Sequence, residues 1–135
     1  MKICIIGPGK LFLSGITHYT LSLANNLLNK KFDISLILFR KLLPTAMYPG
    51  KAHVGRDITK INVKGSIKVF DGVDWYWLPS MFRALLFSKK KTPDIFIFQW
   101  WSSTVFHSYL LSSLYIKIIL KRIPFLSVSR TISIF

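Results

Sequence analysis

A chain of 135 residues fits one domain, and 51% hydrophobic content with 15% aromatics excludes a disordered polypeptide. Nineteen Lys and Arg stand against five acids, all of them Asp (Asp33, Asp57, Asp71, Asp74 and Asp94), for a net charge of +14 that favours polyanionic partners: nucleic acid, anionic lipid or phosphorylated substrates. The single cysteine, Cys4, excludes a disulfide framework or a cysteine zinc site within these residues, and the apolar content is high for a small domain whose whole surface meets water.

The opening MKICIIGPGK is too short in its apolar run, and too soon interrupted by Gly-Pro-Gly, for a signal peptide. Lys2 to Gly7 reads instead as a strand buried on both faces, as in a parallel sheet. Ile16 to Asn29 has helical period, with Ile16, Tyr19, Leu23, Ala24, Leu27 and Leu28 as its apolar stripe, Ser14 as a plausible N-cap, and Lys30 and Lys31 at the negative end of the dipole. Asp33 to Phe39 is a second buried strand, so the first 39 residues form a βαβ unit. The stretch 40–61 is a long basic loop with Pro44, Pro49, Gly50 and Gly55. Ser66 to Phe70 is a weaker third strand, ended by Asp71-Gly72, which places Asp71 and Asp74 in turns.

Pro79 to Lys91 predicts a helix with Met81, Phe82, Leu85 and Leu86 on its apolar side. Asp94 to Gln99 is a fourth strand with an abrupt polar end. Ser102 or Ser103 can cap a helix running to about Lys121, and Ile123 to Val128 is a fifth strand. The apolar run Thr104 to Leu120 is short for a bilayer and carries His107 and Lys117, so it reads as a buried or interfacial helix. Strands alternating with helices specify one domain over residues 1–135. Its fold class is α/β, a Rossmann-like doubly wound parallel sheet of about five strands between helical layers, a three-layer sandwich.

Ligands of such sheets bind beyond the carboxyl ends of the strands, where the strand order reverses. Two segments should meet there: the loop from Gly7 to Gly15 and the triplet Gln99-Trp100-Trp101. The loop is neither Gly-x-Gly-x-x-Gly nor a Walker loop, since Leu11 follows Lys10 where Ser or Thr would be needed. A glycine beside a helix start still lets an anion approach backbone N–H groups, although Gly15 also serves as a simple turn. Adjacent tryptophans at a strand end point to opposite sides, which leaves one to line a cleft. His18 and His107 have no companions for a metal site, and Asp71 and Asp74 do not form the paired carboxylates of a glycoside hydrolase.

Taken in order, MKICIIGPG, SGITHYTLSLANNLL, DISLILF, FRKLLPTAMYPGK and PDIFIFQWW resemble the N-terminal, acceptor-side domain of family-4 retaining glycosyltransferases with the two-domain GT-B architecture. The resemblance spans about residues 1–128. It implies hexosyl transfer from a nucleotide-sugar donor to a sugar or lipid-linked acceptor, in cell-surface polysaccharide or glycolipid synthesis. On matched positions it implies donor contacts at Gly15, Ile16 and Gln99, and acceptor contacts at Trp100, Trp101 and Arg40. Gln99 stands where many members have a histidine, and Ser14 departs from the family's glycine pair. No metal and no cofactor is implied beyond the nucleotide-sugar substrate. Members continue into a donor domain with paired glutamates, whereas these residues contain no Glu. The expectation is a truncated or split enzyme, inactive alone and acting with a donor domain in trans. It would be cytoplasmic and peripheral to an anionic membrane surface, with no nucleic acid as partner. The alternatives are a basic nucleic-acid-binding α/β module, which lacks any recognisable nucleic-acid motif here, and a membrane-associated non-enzymatic protein using the 104–120 helix and Lys89 to Lys91.

Overall fold

The computed structural model describes residues 1–9, 15–41, 63–74, 77–100, 106–121 and 123–128. In chain order these form β1 (Lys2–Pro8), α1 (Gly15–Asn29), β2 (Asp33–Lys41), β3 (Lys68–Asp74), α2 (Leu78–Lys91), β4 (Ile95–Trp100), α3 (Phe106–Ile118) and β5 (Ile123–Val128). All pairings are parallel, and the strand order is β3-β2-β1-β4-β5. This is the expected Rossmann-like α/β sheet, with the order reversing between β1 and β4.

The continuous apolar run of β1 follows from its central place. Ile3 and Ile5 pack on one face with Leu21 and Ala24 of α1. Cys4 and Ile6 pack on the other with Met81 and Ala84 of α2 and with Tyr109 and Ile116 of α3. A strand covered on both sides has no position for a polar side chain. The amino ends of β1 and β4 are tied together: the Asp94 N–H donates to the Lys2 carbonyl at 2.8 Å, and the Lys2 N–H donates to Asp94 Oδ2 at 2.8 Å. The Pro-Asp pair before β4 thus has a structural task, closing the sheet's first rung.

Three sequence expectations change. The third strand does not stop at Phe70; β3 runs through Asp71 and Gly72 to Asp74. Its register against β2 shifts between Leu38 and Phe39 and again before Lys41, so Phe39 faces Val73 and Gly72 is passed over. A glycine inside a strand marks such an irregularity as readily as a turn.

The inward side of α1 is centred on Thr17, Thr20, Leu21 and Ala24, while Tyr19 is exposed and Leu23, Leu27 and Leu28 are only half-buried. The cause is β1. A Cβ at Gly7 would lie 3.1 Å from Thr20 Cγ2, so the helix approaches the strand too closely for large side chains at that contact. On α2, Met81, Ala84 and Leu85 are buried, but Phe82 and Leu86 point outward. That helix ends at Thr92, whose φ of 47° is left-handed and whose N–H reaches the Ser88 carbonyl at 3.1 Å; Pro93 then cannot continue it. Among the described residues no helix is long and apolar enough to cross a membrane.

Candidate functional site

The crevice at the strand-order reversal is bounded by the carboxyl ends of β1 and β4 and by the start of α1. Register carries Ile6 opposite Phe98, which leaves Gly7 and Gln99 as the next residues of the two strands. Both lie on the α1 face, because side chains alternate along a strand. A Cβ at Gly7 would stand 3.2 Å from Thr20 Oγ1 and 3.4 Å from Gln99 Cβ. Glycine at position 7 therefore lets α1 and the end of β4 close tightly over this strand.

Gly9 is pinned more tightly. Its N–H donates to the Phe39 carbonyl at 3.0 Å, and its carbonyl accepts from Thr17 Oγ1 at 3.3 Å. A Cβ there would meet the Phe39 carbonyl oxygen at 2.7 Å, closer than atoms tolerate. Gly9 must be glycine for the chain to leave β1 beside β2.

Gln99 is the notable group of the crevice. It is fully buried, yet neither Nε2 nor Oε1 has a hydrogen-bond partner among the described residues. Buried amides almost always find partners, and leaving one unpaired costs about 1–3 kcal/mol. Its backbone, by contrast, is held: the Tyr109 hydroxyl donates to the Gln99 carbonyl at 2.7 Å and lies 3.4 Å from the Ile6 carbonyl. Tyr109 is wedged edge-on against Phe98, with ring centroids 4.9 Å apart, and burial pushes its phenol well above its usual pKa, so it stays a donor. The strand end is fixed while the amide at its tip is unsatisfied. That arrangement suits reception of a neutral polar ligand group, since an amide both donates and accepts.

The other expected residues distribute as follows. Gly15 opens α1, so the helix begins beside the crevice with the positive end of its dipole there. Ile16 is the second residue of α1 and Trp100 the last of β4, but their side chains lie outside the described set. Trp101, the caps Ser14, Ser102 and Ser103, the loop segment 42–62 and the closing residues 129–135 also lie outside the described residues.

Arg40 stands at the end of β2 in a fork with Asp74: Nη2 donates to Oδ2 at 2.8 Å, and Nε is 3.4 Å from Oδ1. Asp74 is buried and Arg40 about half exposed, so the guanidinium is anchored with one side toward solvent. Asp74 is itself placed by Ser80, whose hydroxyl accepts the Asp74 N–H at 2.9 Å and donates to the Trp77 carbonyl at 2.7 Å. Among the described residues no three His, Cys, Asp or Glu side chains converge.

Sequence reading missed Thr17 and Thr20 as parts of this wall. Their signal was the pair of small β-branched residues three apart in the first turns of α1, set opposite a glycine-rich strand end. The Arg40–Asp74 pair joins residues 34 apart and has no local signal. No family model matches the sequence, and no curated protein matches it.

Proposed function

We propose that this chain is the acceptor-side half of a retaining hexosyltransferase that uses a nucleotide-sugar donor. The observation that carries the reading is the buried amide of Gln99, without a hydrogen-bond partner among the described residues, at the carboxyl end of β4, beside Gly7 and the start of α1. A sugar hydroxyl donates and accepts as the amide does. Parallel α/β sheets take their ligands at this reversal of strand order. The neutral amide supports binding and orientation of a sugar, and leaves proton transfer and nucleoside contacts to a second domain. On this reading Gly15 and Ile16 offer backbone N–H groups to the donor phosphate or sugar, and Arg40, Trp100 and Trp101 face the acceptor. The same reading places the chain on the cytoplasmic side of a membrane, peripheral to it, handling a sugar or lipid-linked acceptor.

Gln99 is the one glutamine of the chain, so selective glutamine labelling gives a single side-chain amide signal. Titration of the labelled chain with hexoses, nucleotide sugars and short-chain hexosyl lipids should shift that signal. Gln99→Met, of similar length and without polar atoms, should lower sugar affinity by roughly tenfold, the equivalent of about 1.4 kcal/mol. It should also raise stability to urea by about 1–3 kcal/mol, since the unpaired amide is removed. An amide signal indifferent to every sugar, or a Gln99→Met chain that binds sugar as before, sinks the reading.

A further inference from the structure

We infer that the outer face of α2 and α3 is a docking surface for an anionic lipid bilayer. The inference rests on the peripheral-membrane part of the reading above and is independent of its sugar chemistry.

The two helices pack side by side on the same face of the sheet. Each spends part of its inward side on polar residues. α3 buries Ser108 and Ser112 along with Tyr109 and Ile116, and α2 buries Ser80 and Ser88. The large apolar residues are turned the other way: Leu110, Leu111, Leu114 and Ile118 on α3 and Phe82 and Leu86 on α2 are all exposed, from 46% to 65%. In a helix whose only neighbours are the sheet and water, leucines face in and serines face out. Here the pattern is reversed on α3, so the outer face is built to be covered as well.

Charge selects what covers it. Arg83, Lys89 and Lys90 on α2 and Lys117 and Lys121 at the end of α3 are exposed around the apolar residues. Neither helix contains an acidic residue. A second copy of this chain would bring like charge against like charge on a molecule of net +14. A nucleic acid would pair with the lysines and leave the leucines in water. An anionic bilayer satisfies both, with leucines and Phe82 entering the acyl boundary and the lysine heads at the phosphates. Helices of 14 and 13 residues, about 20 Å each, are suited to lie in that plane. Both follow parallel strands and so start at the carboxyl edge of the sheet, on the face opposite the Gln99 side chain.

The test is co-sedimentation of the full chain with vesicles of equal parts phosphatidylcholine and phosphatidylglycerol, against phosphatidylcholine alone. Wild type should bind the anionic vesicles and be released by salt. The double variants Leu110→Ser/Leu114→Ser and Phe82→Ser/Leu86→Ser should each lose roughly tenfold in partitioning with unchanged urea midpoints, because these side chains are exposed in the free chain. Lys89→Gln/Lys90→Gln/Lys117→Gln should lose roughly tenfold on anionic vesicles. Lys30→Gln/Lys64→Gln, on the α1 side, should lose little. The proposal is overturned if wild type ignores anionic vesicles, or if the serine variants bind as wild type does. It is equally overturned if the serine variants instead abolish a dimer seen by light scattering without lipid, or if duplex DNA binds tightly with no vesicle binding. The Gln99 titration is run without lipid, so the two readings fail separately.

Discussion

α1 and α3 both follow a strand of the central pair and both return along the sheet, but they divide their apolar surface differently. α1 turns Leu21 and Ala24 to β1 and β2, holds Leu27 and Leu28 half-buried at the edge of the core, and leaves His18, Asn26 and Asn29 in water. α3 turns Ser108, Tyr109, Ser112 and Ile116 to the sheet and leaves Leu110, Leu111, Leu114 and Ile118 outside. The same residue type therefore has opposite meaning on the two helices. Leu21 on α1 is core, whereas Leu110, Leu111 and Leu114 on α3 are surface. The high apolar content of the chain is not all spent on folding.

The largest expected effect breaks that comparison directly. Leu21 is fully buried among Ile3, Ile5, Leu36 and Leu38, so Leu21→Ala should cost about 2–5 kcal/mol in urea unfolding, the range for large-to-small core changes. Leu114 is 46% exposed, and Leu114→Ala should stay within about 0.5 kcal/mol. Against a total stability on the order of 5–15 kcal/mol, the first variant would be visibly weakened and the second indistinguishable from wild type in lipid-free solution. A Leu114→Ala cost near that of Leu21→Ala would mean that α3 packs its leucines inward, and the division between the helices would collapse.

Much of the fold was legible because β1 and β4 are short, continuous apolar runs bounded by residues with a clear local preference. Gly-Pro-Gly at the end of β1, Thr92-Pro93 before β4 and the lysines closing α2 fixed element limits to within a few residues. What was not legible was which side of a helix the sheet would take. Phe82 and Leu86 read as core on α2 because periodicity reports that an apolar stripe exists, not that a second partner faces it. On α1 the stripe was centred on the wrong residues, since the contact with Gly7 favours the small Thr20 over bulkier neighbours, and hydropathy ranks threonine too low to notice. Asp71-Gly72 read as a turn because a strand irregularity uses the same residues. At the crevice, Gln99 was visible as a polar end to an apolar strand. Its complete burial without a partner is a three-dimensional fact, as are the Arg40–Asp74 fork and the Asp94 tie to Lys2.

A smaller effect sharpens the comparison from the α3 side of the sheet. Cys4 is buried under that layer, and desolvation pushes its thiol from 9.0 up to about 12, partly offset by Ser35. Between those values the unfolded chain has released the proton and the folded chain retains it. The folded state then binds more protons, so stability must fall as pH rises, by about 1.4 kcal/mol per pH unit above pH 9. Tyr109, raised for the same reason, adds a decline of the same sign above pH 10. Unfolding measured from pH 8 to pH 11 should show this slope, and Cys4→Ala should flatten its first unit. A slope unchanged in Cys4→Ala would mean that the thiol is open to water, and the tight packing assigned to this face would be wrong.

The smallest effect concerns Tyr109, where α3 meets the carboxyl ends of β1 and β4. Tyr109 donates to the Gln99 carbonyl at 2.7 Å, while the Gln99 side chain has no partner among the described residues, so α3 holds the backbone of this strand end and not its amide. Tyr109→Phe keeps the ring against Phe98 and Phe39, at centroid distances of 4.9 and 6.0 Å, and removes only the hydroxyl. The expected loss is about 1 kcal/mol, the net worth of one neutral hydrogen bond. Its second consequence separates positioning from packing. If the hydroxyl fixes the strand tip, the labelled Gln99 amide signal should broaden in Tyr109→Phe and sharpen again when a sugar binds. A signal as sharp as wild type with the same 1 kcal/mol loss would assign Tyr109 to the core alone, and would leave the crevice to be held by the sheet and α1.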